Sequence, residues 1–259
     1  MSIASHTLKG FDSDLQELAR TIAEMGGLAE RQIDESIEAL TRRDSGRARR
    51  VVAADATIDV MQRAIEERAI ETIARRQPVA NDLRQVVGIV RIANELERIG
   101  DLAKNISKRI IAIGGQDTPR RLTHGVSHMA TLMLTQLRDV LDSFARRDVT
   151  KAVDVWTRDQ EVDRLCTSLF RELLVYMMEN PVTLTFGVHL LFCIKNLERM
   201  GDHATNIAES IYYMVMGDDT LMRERPKADV SSGLTMAVSE AASEDAKIWL
   251  PQDALQTAT

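Results

Sequence analysis

Cysteine, proline, aromatic residues and excess positive charge are all scarce in this chain, and each scarcity closes off a class of protein. Cys166 and Cys193 are the only thiols among 259 residues. Both sit in apolar helical runs, Leu165-Cys166 and Leu191-Phe192-Cys193, so they read as buried, reduced thiols and not as a disulfide framework or a Cys-based metal site. Only 5 Pro, 13 Gly and 4% aromatics accompany 44% hydrophobic residues, and Leu, Ile, Ala, Glu and Arg are abundant. That balance favours helix over strand, so an all-α protein is expected. The net charge of −6 argues against broad binding to a nucleic-acid backbone. No run approaches the roughly 20 apolar residues that span a bilayer, and no charged stretch followed by an apolar one opens the chain. A cytoplasmic protein is expected.

What the chain does contain is a copy of itself. Leu96-Glu97-Arg98-Ile99-Gly100-Asp101-Leu102-Ala103-Lys104-Asn105-Ile106 returns as Leu197-Glu198-Arg199-Met200-Gly201-Asp202-His203-Ala204-Thr205-Asn206-Ile207, with eight of eleven positions identical. An offset of 101 to 104 residues also relates Arg42-Arg43-Asp44 to Arg146-Arg147-Asp148, Asp55 and Asp59 to Asp159 and Asp163, and Gln77-Pro78-Val79 to Asn180-Pro181-Val182. This is a tandem duplication whose period exceeds the 20 to 50 residues of short solenoid repeats, so each unit is long enough for its own bundle.

In the first unit Leu15, Leu18, Ile22, Met25, Ala29, Ile33, Ile37 and Leu40 recur at alternating three-and-four spacing, which predicts one long amphipathic helix. Asp44 is placed to cap a second helix with the stripe Val51, Ile58, Ile65 and Ala69. Pro78 suits the first turn of a third helix over about 79–113, closed by Gly114-Gly115. The second unit repeats the plan: a helix to about Ala145, a cap at Asp148, a helix to about Met178, Asn180 as cap with Pro181 at the first helical position, and a last helix to Gly217. The expectation is two tandem, internally repeated three-helix bundles with six long helices, over 7–115 and 116–217, followed by a mobile C-terminal tail over 218–259 in which Ile248-Trp249-Leu250 could dock.

The chemistry lies in paired carboxylates. Glu97 and Asp101, Glu198 and Asp202, Asp55 and Asp59, and Asp159 and Asp163 are each one helical turn apart. They lie beside the apolar stripes, so four carboxylates per bundle converge from two helices. Like charges at this spacing cost a helix a few tenths of a kcal/mol unless a cation neutralises them. All-oxygen donors without Cys or paired His favour a hard ion such as iron or manganese, with magnesium or zinc as further candidates. Ordinary solvated charge, with Arg98 and Arg199 as local partners, is the competing reading. Gly100 and Gly201 fall on the inferred core face, where close helix packing is expected and a kink is the alternative. His124 and His128 stand at ligand spacing near a helix start and are not assigned a metal. No phosphate loop, nucleophile elbow or Glu-x-x-His pattern occurs, so no catalytic apparatus is visible.

A duplicated three-helix unit, with an acidic-x-x-x-Asp pair on two helices and the signature Leu-Glu-Arg-(Ile/Met)-Gly-Asp-x-Ala-x-Asn-Ile, resembles the PhoU family over about residues 7–217. The resemblance implies a non-enzymatic accessory protein of phosphate-specific transport that represses the phosphate-starvation response and restrains phosphate uptake. It further implies a bridge between the ATPase of the phosphate ABC transporter (PstB type) and a PhoR-type histidine kinase. The membrane would be approached only through those partners. Metal at the acidic motifs of family members carries over to Asp55, Asp59, Glu97, Asp101, Asp159, Asp163, Glu198 and Asp202. Long amphipathic helices in a thin bundle also suggest a homodimer. Two other classes compete: a carboxylate-bridged metalloenzyme within a helical bundle, and a metal-free helical adaptor.

Overall fold

The computed structural model describes residues 3–114 and 120–218. Gly115, most of the expected tail and its Ile248-Trp249-Leu250 segment lie outside the described residues. Within them there are six long helices: α1 (Ile3–Arg42), α2 (Ser45–Arg76), α3 (Asn81–Ile113), α4 (Arg120–Arg146), α5 (Val149–Glu179) and α6 (Leu184–Met216). No strand occurs among the described residues.

The helix boundaries have local causes. Asp44 Oδ1 accepts from Arg47 N at 2.8 Å, and Asp148 Oδ1 accepts from Lys151 N at 3.0 Å, so each aspartate satisfies an otherwise unpaired amide in the first turn of α2 or α5. The residues before them, Arg43 and Arg147, take left-handed φ values of 56° and 54°. This lets the amides of Asp44 and Asp148 turn back to the carbonyls of Ala39 and Ser143 and close α1 and α4. Gly217, at φ 80°, closes α6 in the same region of conformational space.

The third helix of the first repeat starts differently from the expectation. Gln77 at φ 49° and Ala80 at φ 47° bend the chain on either side of Pro78, and α3 begins only at Asn81. Proline can lead a helix, but here it is held in the connection by the two left-handed residues that flank it. In the second repeat Pro181 does open a helical segment, a single 3-10 turn over Pro181–Thr183 that runs into α6. Asn180 makes no side-chain cap for that turn. Its backbone and side-chain nitrogens instead donate to the Tyr176 carbonyl and finish α5.

Within each repeat the three helices run antiparallel to their neighbours, as successive short turns require. Between repeats, α3 lies antiparallel to α6 and α1 to α4, whereas among the described elements α2 packs on α1 and α3, and α5 on helices of its own repeat and the 3-10 turn. Four helices therefore form the middle of the molecule, with α2 and α5 outside. Ile22, Met25 and Ile33 of α1, Leu96 and Ile99 of α3, Met129 and Met133 of α4 and Leu197 of α6 belong to one continuous apolar core. The sequence duplication thus yields two like bundles whose inner faces are fused.

The seam is also polar. Glu95 of α3 meets His203 Nδ1 at 2.6 Å and accepts from Asn206 Nδ2 at 3.1 Å on α6. Arg91 lies over the ring of Tyr213, and Arg109 over that of Phe192.

Candidate metal centre in each repeat

α2 and α3 bring Asp55, Asp59, Glu97 and Asp101 into one electrostatic neighbourhood. Burial raises the Asp55 carboxyl above its ordinary value, and the charges of Asp101 and Asp59 add to that; Lys104 opposes both. Glu97 is raised by burial and then by Asp101, Asp59 and Asp55, against the pull of Arg98. Glu198 of the second repeat is raised by burial and by Asp202 and Asp163, with Lys195 opposing. Asp55, Asp159 and Glu198 are buried, whereas Asp59, Asp163, Glu97, Asp101 and Asp202 are partly open to solvent. The sequence placed all eight on polar flanks beside the stripes; three are inside. Among the described residues, no three His, Cys, Asp or Glu side chains close around a common point as ligands of one ion.

The glycines of the repeated signature decide how close the helices come. A Cβ on Gly100 would lie 2.9 Å from Ile58 Cδ1 and 3.3 Å from Gln32 Oε1; one on Gly201 would lie 2.8 Å from Asp159 Oδ1 and 3.5 Å from Gln136 Oε1. Both contacts reach into the bundle, and α3 and α6 run on unbroken through them, so these are close-packing glycines and not kinks.

Several groups besides the eight carboxylates serve the clusters. Lys104 donates to Asp55 of α2 and, at 2.6 Å, to Asp101 of its own helix. Lys195 donates to Glu198 Oε1 at 2.6 Å. Gln32 and Gln136, at the same offset of 104 that relates the aspartates, add a buried side chain from α1 and α4, and Gln136 Nε2 lies 3.4 Å from Asp159 Oδ1. Extending the repeat comparison to polar residues inside apolar stripes would have found the glutamines. Cys166 faces the second cluster from within the core, its thiol pushed up to about 12 by burial and the Glu198 charge, which makes it a poor thiolate ligand. Cys193 is likewise buried and pushed up to about 12. His124 and His128 are both exposed.

The donor set is oxygen throughout, as a hard cation requires. The second repeat meets one further requirement, because Glu198 Oε2 is buried and accepts no hydrogen bond. A groove of about 650 Å³ at the seam, lined by Leu15, Ile89, Leu141 and Met214 with Arg20 and Arg147, lies apart from both clusters.

The PhoU domain model matches this chain twice, over residues 22–110 and 126–211, one match for each three-helix repeat. The chain belongs to the PhoU family. It is 52% identical over 230 residues to the phosphate-specific transport system accessory protein PhoU homolog of Rhizobium meliloti, covering 89% of this chain and 97% of the relative. The homolog from Caulobacter vibrioides is 45% identical over the same 89% of this chain and 100% of its own length. Among solved structures, PhoU from Pseudomonas aeruginosa matches with a TM-score of 0.77 at 37% identity, over 80% of this chain and 100% of the other. The phosphate transport system regulatory protein PhoU from Streptococcus pneumoniae matches with a TM-score of 0.74 at 28% identity, over 80% and 98%. These PhoU proteins bear the names of accessory and regulatory proteins, and this chain is accordingly a regulator connected with phosphate transport and not an enzyme. No helix among the described residues is long and apolar enough to cross a membrane.

Proposed function

We propose that this chain is a negative regulator of the phosphate-starvation response and a modulator of phosphate-specific ABC transport, acting in the cytoplasm as a metal-binding adaptor between the transporter ATPase and a PhoR-type sensor kinase. The observation that carries this reading is the double match of the PhoU domain on a duplicated signature, with accessory proteins of phosphate-specific transport as relatives along most of the chain. An adaptor needs more than one docking surface, and a duplicated fold with two like faces supports that reading. Exposed apolar side chains gather where each third helix begins: Ile73, Val79 and Leu83 in the first repeat, and Met178, Val182 and Leu184 in the second. Because α3 and α6 are antiparallel, these two surfaces face opposite ends of the central helix pair.

The carboxylate clusters are read as cation sites. A hard metal there would supply positive charge that joins α2 to α3, or α5 to α6, and so stiffen the bundle that carries each docking surface. The adaptor acts as a homodimer in this reading, with part of the exposed apolar surface covered by a second copy. Tagged protein recovered from phosphate-replete cells after mild cross-linking is expected to bring with it a transporter ATPase and a histidine kinase. Recovery of neither would overturn the adaptor role, and sedimentation as a monomer at micromolar concentration would overturn the dimer.

A further inference from the structure

The two repeats turn from their first helix into their second by the same device and leave different charge at the turn. Arg43 and Arg147 share the left-handed φ, and Asp44 and Asp148 cap α2 and α5 in the same way. In the second corner the charges cancel. From Asp142 to Asp154 three basic residues face three aspartates. Lys151 bonds Asp139 and Asp142, Arg158 bonds Asp139 and Asp154, and Arg147 donates to Gln85.

The matched stretch of the first corner, Glu38 to Arg50, holds five arginines against two acids. Glu38 is taken by Arg42 at 3.0 Å and by Arg47, and Asp44 accepts from the Arg47 amide. Arg49 and Arg50 are exposed and make no hydrogen bond or ion pair among the described residues. At their positions the second repeat has Val153 and Asp154. A third mismatch lies on α3. Lys104 reaches Asp55 across the gap to α2, so the antiparallel register puts Lys108, one turn on, level with Val51. Lys108 is likewise exposed and unpaired among the described residues. Its counterpart in the second repeat is the buried Glu209, which accepts from Trp156 Nε1. Arg49, Arg50 and Lys108 therefore leave uncompensated positive charge at one corner of a chain whose net charge is −6.

No large apolar side chain is exposed between Glu38 and Val52, so whatever binds here is held by charge and not by apolar burial. A single oxyanion finds the first turn of α2 already occupied, because the Gly46 and Arg47 amides are turned to Asp44. A continuous phosphate chain would run against Glu38 and Asp44 as well as the negative charge of the whole molecule. Carboxylates spaced along a polypeptide can pair with individual guanidinium groups and pass between those two acids. We infer that the α1–α2 corner, with Arg49, Arg50 and Lys108 as its free cations, is a docking surface for an acidic segment of a partner protein, and that the matched α4–α5 corner is not. This rests on the adaptor reading proposed above and gives the two repeats unequal tasks.

The test is fluorescence anisotropy of a short fluorescein-labelled peptide of alternating Glu and Ser, added to the full-length protein at low ionic strength. Arg49→Val with Arg50→Asp installs the residues that the second repeat already carries in the same helix geometry, and circular dichroism checks that the fold stands. This variant should bind the peptide about tenfold more weakly than wild type, and Lys108→Gln should lose less. Both losses should fade as added salt screens exposed charge. Arg146→Val with Arg171→Asp makes the same change of net charge at exposed positions elsewhere and should stay within about twofold of wild type. Equal losses in the two double variants would show that bulk charge attracts the peptide, and would overturn the inference. So would a wild type that binds no peptide, binding indifferent to Arg49 and Arg50, or a corner that takes up sodium polyphosphate and ignores the peptide. Cross-linking in phosphate-replete cells separates this inference from the adaptor reading. The Arg49/Arg50 variant is expected to lose at least one of the two partners that wild type recovers. A folded variant that recovers both would overturn the docking corner and leave the adaptor standing, whereas a wild type that recovers neither would overturn both.

Discussion

Replacing Gly100 by Ala tests whether the signature glycines are there for close packing. An alanine Cβ would stand 2.9 Å from Ile58 Cδ1 and 3.3 Å from Gln32 Oε1. Ordinary carbon contacts sit at about 3.5–4.0 Å, so Ile58 must retreat by roughly 0.6–1.1 Å. That shift must be made inside the core, since Ile58 is fully buried and Gln32 is buried beside it. Overpacking of this kind costs about 1–3 kcal/mol, while Ala in place of Gly in a helix interior returns about 0.5–1 kcal/mol. Gly27 on α1 is the control, because the nearest atom to its added Cβ is Arg31 Nη1 at 3.7 Å, an ordinary contact. Gly27→Ala should gain about 0.5–1 kcal/mol, placing the two variants about 1–3 kcal/mol apart, or roughly 2–12 °C in melting temperature for a fold of this size. Thermal and urea unfolding followed by circular dichroism in the presence of chelator would measure the gap. A Gly100→Ala protein as stable as Gly27→Ala would refute the packing argument.

Two further outcomes follow from the polar groups. Burial raises the Glu198 carboxyl in the folded state, so the folded protein binds that proton more tightly than the unfolded chain does. Its ionised form is therefore a liability at neutral pH that fades as pH falls through the folded value toward the ordinary Glu value of about 4.3. In chelator, any stability advantage of Glu198→Gln over wild type should shrink across that window, and a difference independent of pH would contradict the assignment. Glu95→Ala removes two hydrogen bonds across the seam, to His203 and Asn206, and is expected to cost about 1–3 kcal/mol in unfolding experiments. Glu66→Ala on the exposed face of α2 should stay within about 0.5 kcal/mol, and equal effects would show that the seam contact carries no stability.

Most of the architecture could be read from the chain because its causes are local. The 3.6-residue stripes, the aspartates at 44 and 148 and the glycines at 114 and 217 act within a turn or two of themselves, and the structure puts each of these to the expected use. The start of α3 could not be read, because the left-handed Gln77 and Ala80 are neither Gly nor Asn and carry no signal of their φ. The carboxylate pairs were visible through the duplication. Their different environments were not, because which cation reaches which acid depends on the register of α3 against α2 and of α6 against α5. Lys104 and Thr205 differ at matched positions of a motif repeated at eight of eleven, and what Lys104 does emerges only when Asp55 is seen across the gap. Glu95 and His203 were beyond reach for the same reason, since neither is matched in the other repeat and only the antiparallel meeting of α3 and α6 joins them.

The regulatory role proposed for this chain is measured most directly with a phosphate-starvation reporter in cells that lack it and are grown in abundant phosphate. The reporter is expected to turn on in the deletion strain and to fall silent again when the wild-type chain is restored. A reporter that stays silent without the chain would contradict it.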